Sequence, residues 1–296
     1  MTGFLKGTAT AMITPFDKTG VNYEEFGKMI EHQIAGGTDM LVILGTTGEP
    51  ATMTEEEKTA VMEYSVKKAA GRAKVVFGCG SNDTAHAVKT AKKAEKIGAD
   101  GLLAVTPYYN KCTQNGIYEY YKSICTSVNI PVIAYNVPSR TGVNILPATM
   151  ARIAELPNMA GIKDASGNMA QTMETLRLIR GKCDLYSGED ALNFPILAVG
   201  GSGVISVLSN LVPDAVKELY SLTVNGNLKE AALLSDKLLP LANACFIEVN
   251  PIPAKAAMNY LGFHAGTPRA PLTEIESDNG EKLKTAMKNY GLEINA

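Results

Sequence analysis

Pro131-Val132-Ile133-Ala134-Tyr135-Asn136 is a short apolar run opened by a proline and closed by two polar side chains, and its hydrophobic residues follow one another without alternation. A strand covered on one face only would alternate, so this run fits a strand buried on both faces, as in a parallel sheet. Comparable runs recur about every 30 residues, at 7–14, 40–44, 75–78, 101–106, 160–163, 184–187 and 203–207. Segments with helical spacing separate them. Thr54 and Glu57 form a capping box, Met62, Val66 and Ala69 share one face, and Gly71 closes that helix. Ile117, Tyr121, Ile124 and Val128 repeat the spacing, and Pro147 stands at a first-turn position. Eight strands in about 210 residues, each followed by a helix-sized segment, predict an α/β fold of the (β/α)8 TIM-barrel type over residues 1–224. A doubly wound open sheet is the competing architecture. Residues 225–296 carry helical patterns at 228–242, 253–261 and 281–290 without a strand-like run, and read as a C-terminal helical appendage.

The 296 residues carry 28 basic and 30 acidic side chains, a net charge of −2, spread without blocks. That balance gives no electrostatic footprint for nucleic acid or for an anionic membrane. At this length a chain buries roughly three quarters of its unfolded surface, enough for a core without disulfides or a structural metal. The five cysteines include no C-x-x-C pair, and His32, His86 and His264 stand in no zinc-ligand spacing, so no metal site and no Ser-His chemistry is expected. An enzyme built from this inventory takes its acid and base from Lys, Tyr, Asp or Glu. The first ten residues lack a basic-then-apolar leader and no apolar run approaches a membrane span, which reads as a cytoplasmic protein.

In a TIM barrel the chemistry sits at the C-terminal ends of the strands. The second expected strand ends in Gly45-Thr46-Thr47-Gly48-Glu49, the fourth in Thr106-Pro107-Tyr108-Tyr109-Asn110, the fifth in Tyr135 to Gly142, and the sixth in Gly161-Ile162-Lys163-Asp164. Lys163 closes an apolar strand. Burial there lowers an ammonium pKa toward neutrality, giving the free amine that attack on a carbonyl requires; pairing with Asp164, or snorkelling to solvent, is the plainer reading. Lys255, also among apolar residues, reads as snorkelling. The turn at 45–49 fits either a small-carboxylate cradle or a structural turn, and Gly200-Gly201-Ser202-Gly203 reads as a turn, with a phosphate cradle as its alternative. Tyr135 and Tyr109 are strand-end phenols able to share protons, or core tyrosines. Arg140 follows a proline-fixed turn and can grip a carboxylate bidentately, or stand exposed on a loop.

These residues together resemble the pyruvate-dependent Schiff-base aldolases and lyases, and within them the dihydrodipicolinate synthases. The resemblance runs from residues 7–16 to the helical tail and rests on G-T-T-G-E at 45–49, Y-N-V-P-S-R-T-G at 135–142 and G-I-K-D-A-S-G at 161–167. It implies a lyase of lysine and diaminopimelate biosynthesis that condenses pyruvate with L-aspartate 4-semialdehyde, with no metal or organic cofactor. By the same resemblance Lys163 forms the imine, Tyr135 is the general acid and base, and Thr47 and Tyr109 relay protons. Thr46 and Thr47 hold the pyruvate carboxylate, Gly188 and Ile205 line the pocket, and Arg140 holds the second substrate. In family members the residue matching Tyr109 reaches into a neighbouring subunit, which implies a homotetramer built as a dimer of dimers. Sugar-acid aldolases and N-acetylneuraminate lyases share the lysine but usually lack an arginine at position 140, so they stand as the alternative; a non-catalytic keto-acid sensor would have no need of Lys163 with Tyr135. Many relatives are inhibited by lysine. Their asparagine and tyrosine at the inhibitor cleft are present as Asn82 and Tyr108, whereas their serine, two histidines and acidic residue are replaced by Pro50, Glu55, Lys58 and His86, which implies an enzyme insensitive to lysine.

Overall fold

The computed structural model describes residues 3–295; Met1, Thr2 and Ala296, at the ends of the two expected regions, lie outside the described residues. Eight strands form a closed barrel: β1 (Gly7–Ala11), β2 (Met40–Ile43), β3 (Lys74–Gly78), β4 (Gly101–Val105), β5 (Val132–Asn136), β6 (Met159–Asp164), β7 (Asp184–Ser187) and β8 (Gly203–Ser206). Each strand neighbours the next in sequence, β8 neighbours β1, and the pairs β4–β5, β5–β6 and β6–β7 are parallel. The fold is a (β/α)8 TIM barrel with helices following its last strand, and the open-sheet alternative is excluded by closure. A two-stranded antiparallel ribbon, Phe16–Asp17 with Gly20–Val21, is a separate small sheet.

The expected strand at 7–14 stops at Ala11 because its continuation is held by side chains. Asn210 Oδ1 accepts from Ile13 N at 3.2 Å and Thr14 Oγ1 donates to the Gly48 carbonyl at 2.8 Å, so the backbone leaves the ladder. The capping box at Thr54 and Glu57 is present at the start of helix Glu55–Ala69. That helix buries Ser65 with Val61, Met62 and Ala69, whereas Val66 is only half-buried, and its left-handed stop begins at Ala70 (φ 49°), one residue before Gly71. Pro147 opens helix Pro147–Ile153 as expected. Val128 is buried, but past the end of helix Gln114–Cys125. Gly200-Gly201-Ser202 precedes β8 and Gly203 opens it, so the segment lies at the N-terminal end of that strand. Ser202 Oγ donates to Asp184 at 2.9 Å, and a Cβ on Gly203 would collide with the Gly7 carbonyl, so this segment is a tight structural turn rather than a phosphate cradle.

The chain packs as two compact units, one made of Val75–Ile205 with the arm ending at Gly7, the other of Thr8–Lys74 with the residues from Ser206 on. In the first, the strands carry fully buried aliphatic residues such as Leu102, Val132, Ile133 and Met159, and the Tyr121 hydroxyl ties helix Gln114–Cys125 to β4 through the Ala104 carbonyl at 2.9 Å. In the second, helices Leu228–Ala244, Ile252–Tyr260 and Ser277–Tyr290 follow helix Pro213–Val224. Leu241, Ala257, Leu283 and Met287 of those helices are buried. The residues after Val224 thus belong to the unit that also holds β2.

Candidate active site

Side chains alternate along a strand, so the last two residues of β6 face opposite ways. Asp164 accepts from Thr172 Oγ1 at 2.5 Å, Ser166 Oγ at 3.2 Å, Ser166 N at 3.1 Å and Asn136 Nδ2 at 3.3 Å. Its oxygens are occupied by neutral donors, and it is not the counter-ion of Lys163. Lys163 itself is 4% exposed, and its Nζ makes no hydrogen bond or ion pair among the described residues. Tyr135 of β5 is its register partner across the sheet, with the ring centroid 4.5 Å from Nζ. Burial brings the Lys163 pKa down to about 8; the Asp190 and Glu189 carboxylates oppose that shift and the Arg140 charge adds to it.

The turn after β7 is shaped around this lysine. A Cβ on Gly188 would stand 2.8 Å from both Cγ and Cε of Lys163, so only glycine lets the long side chain pass. Gly188 N is bonded to the Asp164 carbonyl at 2.8 Å. Asp190 follows, buried, accepting from Asn193 Nδ2 at 3.0 Å, and burial together with Asp190 pushes the Glu189 carboxyl up. Neither acid was singled out in the sequence, although both follow directly on Gly188.

Arg140 is exposed and sits in a one-turn helix, Pro138–Thr141, opened by proline and closed by Gly142 at φ 69°. The loop behind it is fixed by Asn136, whose Oδ1 accepts from Ile145 N at 2.9 Å and whose Nδ2 donates to Asn144 at 3.0 Å; Asn144 is bonded in turn to Gln171. Ile205 is buried within β8. Tyr109, just past β4, is 90% exposed and held at φ 68°. It is not a core tyrosine. Thus Lys163, Tyr135, Gly188 and the charge of Arg140 act on one another within a single unit.

Thr46 and Thr47 belong to the other unit, in a 3₁₀ turn at the C-terminal end of β2. Left-handed residues bracket it, Leu44 at φ 57° and Glu49 at φ 55°, a conformation that non-glycine residues occupy at a cost of about 1–3 kcal/mol. The turn's own hydrogen bonds engage the amides of Gly48 and Glu49, to the carbonyls of Gly45 and Thr46, and leave the Thr46 and Thr47 amides outside them. Side chains from far along the chain hold the turn. Asn250 Nδ2 donates to Thr47 Oγ1 at 2.9 Å, Lys255 Nζ to Glu49 Oε1 at 2.7 Å, and the Arg269 amide to Glu49 Oε2 at 2.8 Å. Lys255 is fully buried in that ion pair, beneath the Phe16 ring, and does not snorkel. Burial brings its pKa down to about 8, although the Glu49 carboxylate opposes that shift.

The sequence from residue 4 to residue 290 matches the model of the dihydrodipicolinate synthetase family. The chain belongs to this family. A 4-hydroxy-tetrahydrodipicolinate synthase of Caldicellulosiruptor bescii is 49% identical over 290 residues, 98% of each chain. Among solved family structures, the dihydrodipicolinate synthase from Aquifex aeolicus superposes with a TM-score of 0.96 at 42% identity, covering 99% of this chain and 100% of that one. The dihydrodipicolinate synthase from Cyanidioschyzon merolae, solved with lysine bound, gives 0.95 at 38% identity, covering 98% and 99%. No helix among the described residues is long and apolar enough to cross a membrane. Asn250 and the Glu49–Lys255 pair escaped sequence reading because their partners lie about 200 residues away in the chain.

Proposed function

We propose that this protein is a lyase that condenses pyruvate with L-aspartate 4-semialdehyde through an imine on Lys163 and releases 4-hydroxy-tetrahydrodipicolinate. The observation that carries the reading is Lys163 itself, a buried amine with its pKa near 8 and no counter-ion, beside a phenol on the neighbouring strand. In this reading the Lys163 nitrogen attacks the pyruvate ketone carbon, and water leaves as Tyr135 supplies and recovers protons through Thr47 and Tyr109. Loss of a methyl proton converts the iminium to an enamine. Its terminal carbon attacks the aldehyde of the semialdehyde, whose carboxylate Arg140 holds, and the semialdehyde's own amine then closes the ring on the former ketone carbon and frees Lys163. The imine is the electron sink, so the chemistry calls for no metal or organic cofactor.

The amides and hydroxyls of Thr46 and Thr47 are assigned the pyruvate carboxylate, and Gly188 and Ile205 are assigned to the lining around Lys163. The exposed, constrained Tyr109 supports a relay completed by a neighbouring subunit in a cytoplasmic homotetramer. Residues 1–224 supply the catalytic barrel and 225–296 a helical region that serves it. A sugar-acid aldolase or N-acetylneuraminate lyase reading is disfavoured by Arg140, whose fork suits a carboxylate better than a polyhydroxylated chain. Steady-state assays of Arg140→Ala test the substrate assignment. The KM for the semialdehyde should rise severely while pyruvate imine formation persists; equal loss of both would remove Arg140 from that role.

A further inference from the structure

The buried polar side chains left out of the reaction scheme include one bonded to a residue of the proposed relay. Asn250 is 5% exposed and lies in the turn between helices Leu228–Ala244 and Ile252–Tyr260, where Ile252 N bonds to the Val249 carbonyl at 2.9 Å. Its Nδ2 donates to Thr47 Oγ1 at 2.9 Å. A threonine hydroxyl has one hydrogen and two lone pairs. Once a lone pair accepts from an amide, the hydroxyl hydrogen is directed elsewhere and the oxygen becomes a better proton donor, because each hydrogen bond in a chain polarises the next.

We propose that Asn250 is a positioning residue that sets the direction of the Thr47 hydroxyl, so that the threonine stands as a donor at the start of each proton transfer; the inference rests on the relay role given to Thr47 above. Five residues farther on, Lys255 grips Glu49 at 2.7 Å, and Arg269 N grips the other oxygen of the same carboxylate. The backbone of the turn is therefore held at Glu49 independently of Asn250, whose bond to the turn is made to the Thr47 hydroxyl. Loss of the amide changes where the Thr47 hydrogen points without releasing the turn.

Asn250→Asp keeps the shape and replaces the donor by an acceptor, which draws the Thr47 hydrogen toward position 250 and out of the relay. It is measured beside Asn250→Ala, Thr47→Val and the Asn250→Asp, Thr47→Val double variant, each checked by thermal melting. The expected result is a fall in kcat of about tenfold or more, a smaller rise in the KM for pyruvate because the Thr46 and Thr47 amides still hold its carboxylate, and no further fall when the Asn250 substitution is added to Thr47→Val. Asn250→Ala removes the donor without adding a charge and keeps the comparison interpretable should the aspartate variant fold poorly. Unchanged kcat in both Asn250 variants, or losses that multiply with that of Thr47→Val, would overturn the inference while leaving the relay in place. Near-normal turnover of Thr47→Val would overturn the relay reading itself, and the inference with it.

Discussion

Lys163 and Lys255 are two lysines withdrawn from water, at 4% and 0% exposure, and each lies over an aromatic ring, Tyr135 at 4.5 Å and Phe16 at 4.1 Å. In both, burial is the main force lowering the pKa. They differ in what faces the nitrogen. Lys255 meets the Glu49 carboxylate at 2.7 Å and the Thr267 carbonyl at 3.3 Å, so its nitrogen is tied to an ion-pair partner. Lys163 has no such partner, and Asp190 and Glu189 act on it only through their charge. Burial therefore does not by itself make a nucleophile; burial without a directly bonded counter-ion does, because the nitrogen then has no ion pair to break before it attacks.

The largest expected difference is in activity. Lys163→Met should lower the condensation rate by at least about 10³-fold, and it should stabilise the fold. A lysine whose folded pKa is depressed makes the folded state bind fewer protons than the unfolded one between the two values. Its destabilising effect is complete below about pH 8 and fades as pH rises toward 10.5. Chemical denaturation of Lys163→Met should thus show a gain on the order of 3 kcal/mol at neutral pH, shrinking in alkali. A variant less stable than the parent at pH 7 would mean that Lys163 has a partner there.

Lys255→Met leaves Glu49 buried without its cation and should destabilise by about 3–5 kcal/mol. Adding Glu49→Gln should recover much of that loss, since a neutral amide can stay buried where a lone carboxylate cannot. If Lys255→Met behaves like Lys163→Met and stabilises, the two lysines are not the opposites described here. Tyr109→Phe sharpens the active side of the comparison, because it removes one hydroxyl and keeps the ring. A rate loss of about 10²-fold is expected, and near-normal turnover would take Tyr109 out of the relay. The smallest effect concerns a third lysine. Lys58 is paired with Glu55 at 3.0 Å, and the family resemblance implies that His86 stands where lysine-sensitive relatives carry the acidic residue that would meet an ammonium group. Free lysine at millimolar concentration should leave the rate essentially unchanged; half-inhibition in the submillimolar range would contradict this.

The barrel was readable because burial on both faces of a strand favours a continuous apolar run, as in Met40–Ile43, Leu102 to Val105 and Val132 to Ala134. Lys163 was readable as well, since a charge that closes such a run is conspicuous. What the pattern could not convey is pairing at long range. Lys255 reads as snorkelling because nothing near it in sequence suggests Glu49, and Asp164 reads as a partner of Lys163 because it is adjacent, although strand alternation sends the two apart. The glycines at 200–203 have cradle-like composition, but they precede a strand and lie at the end opposite the one where a barrel does its chemistry. Arg140 and Tyr109 stand out by their places after strand ends, but only the family resemblance gives them roles, because one exposed arginine and one exposed tyrosine resemble many others.

Borohydride reduction in the presence of pyruvate, followed by peptide mass mapping, tests the distinction between the two lysines most directly. A reduced pyruvate adduct should appear on the peptide that carries Lys163 and none on the peptide that carries Lys255, and the Lys163→Met variant should acquire no adduct at all. Absence of modification at Lys163, or modification at Lys255, would contradict the account.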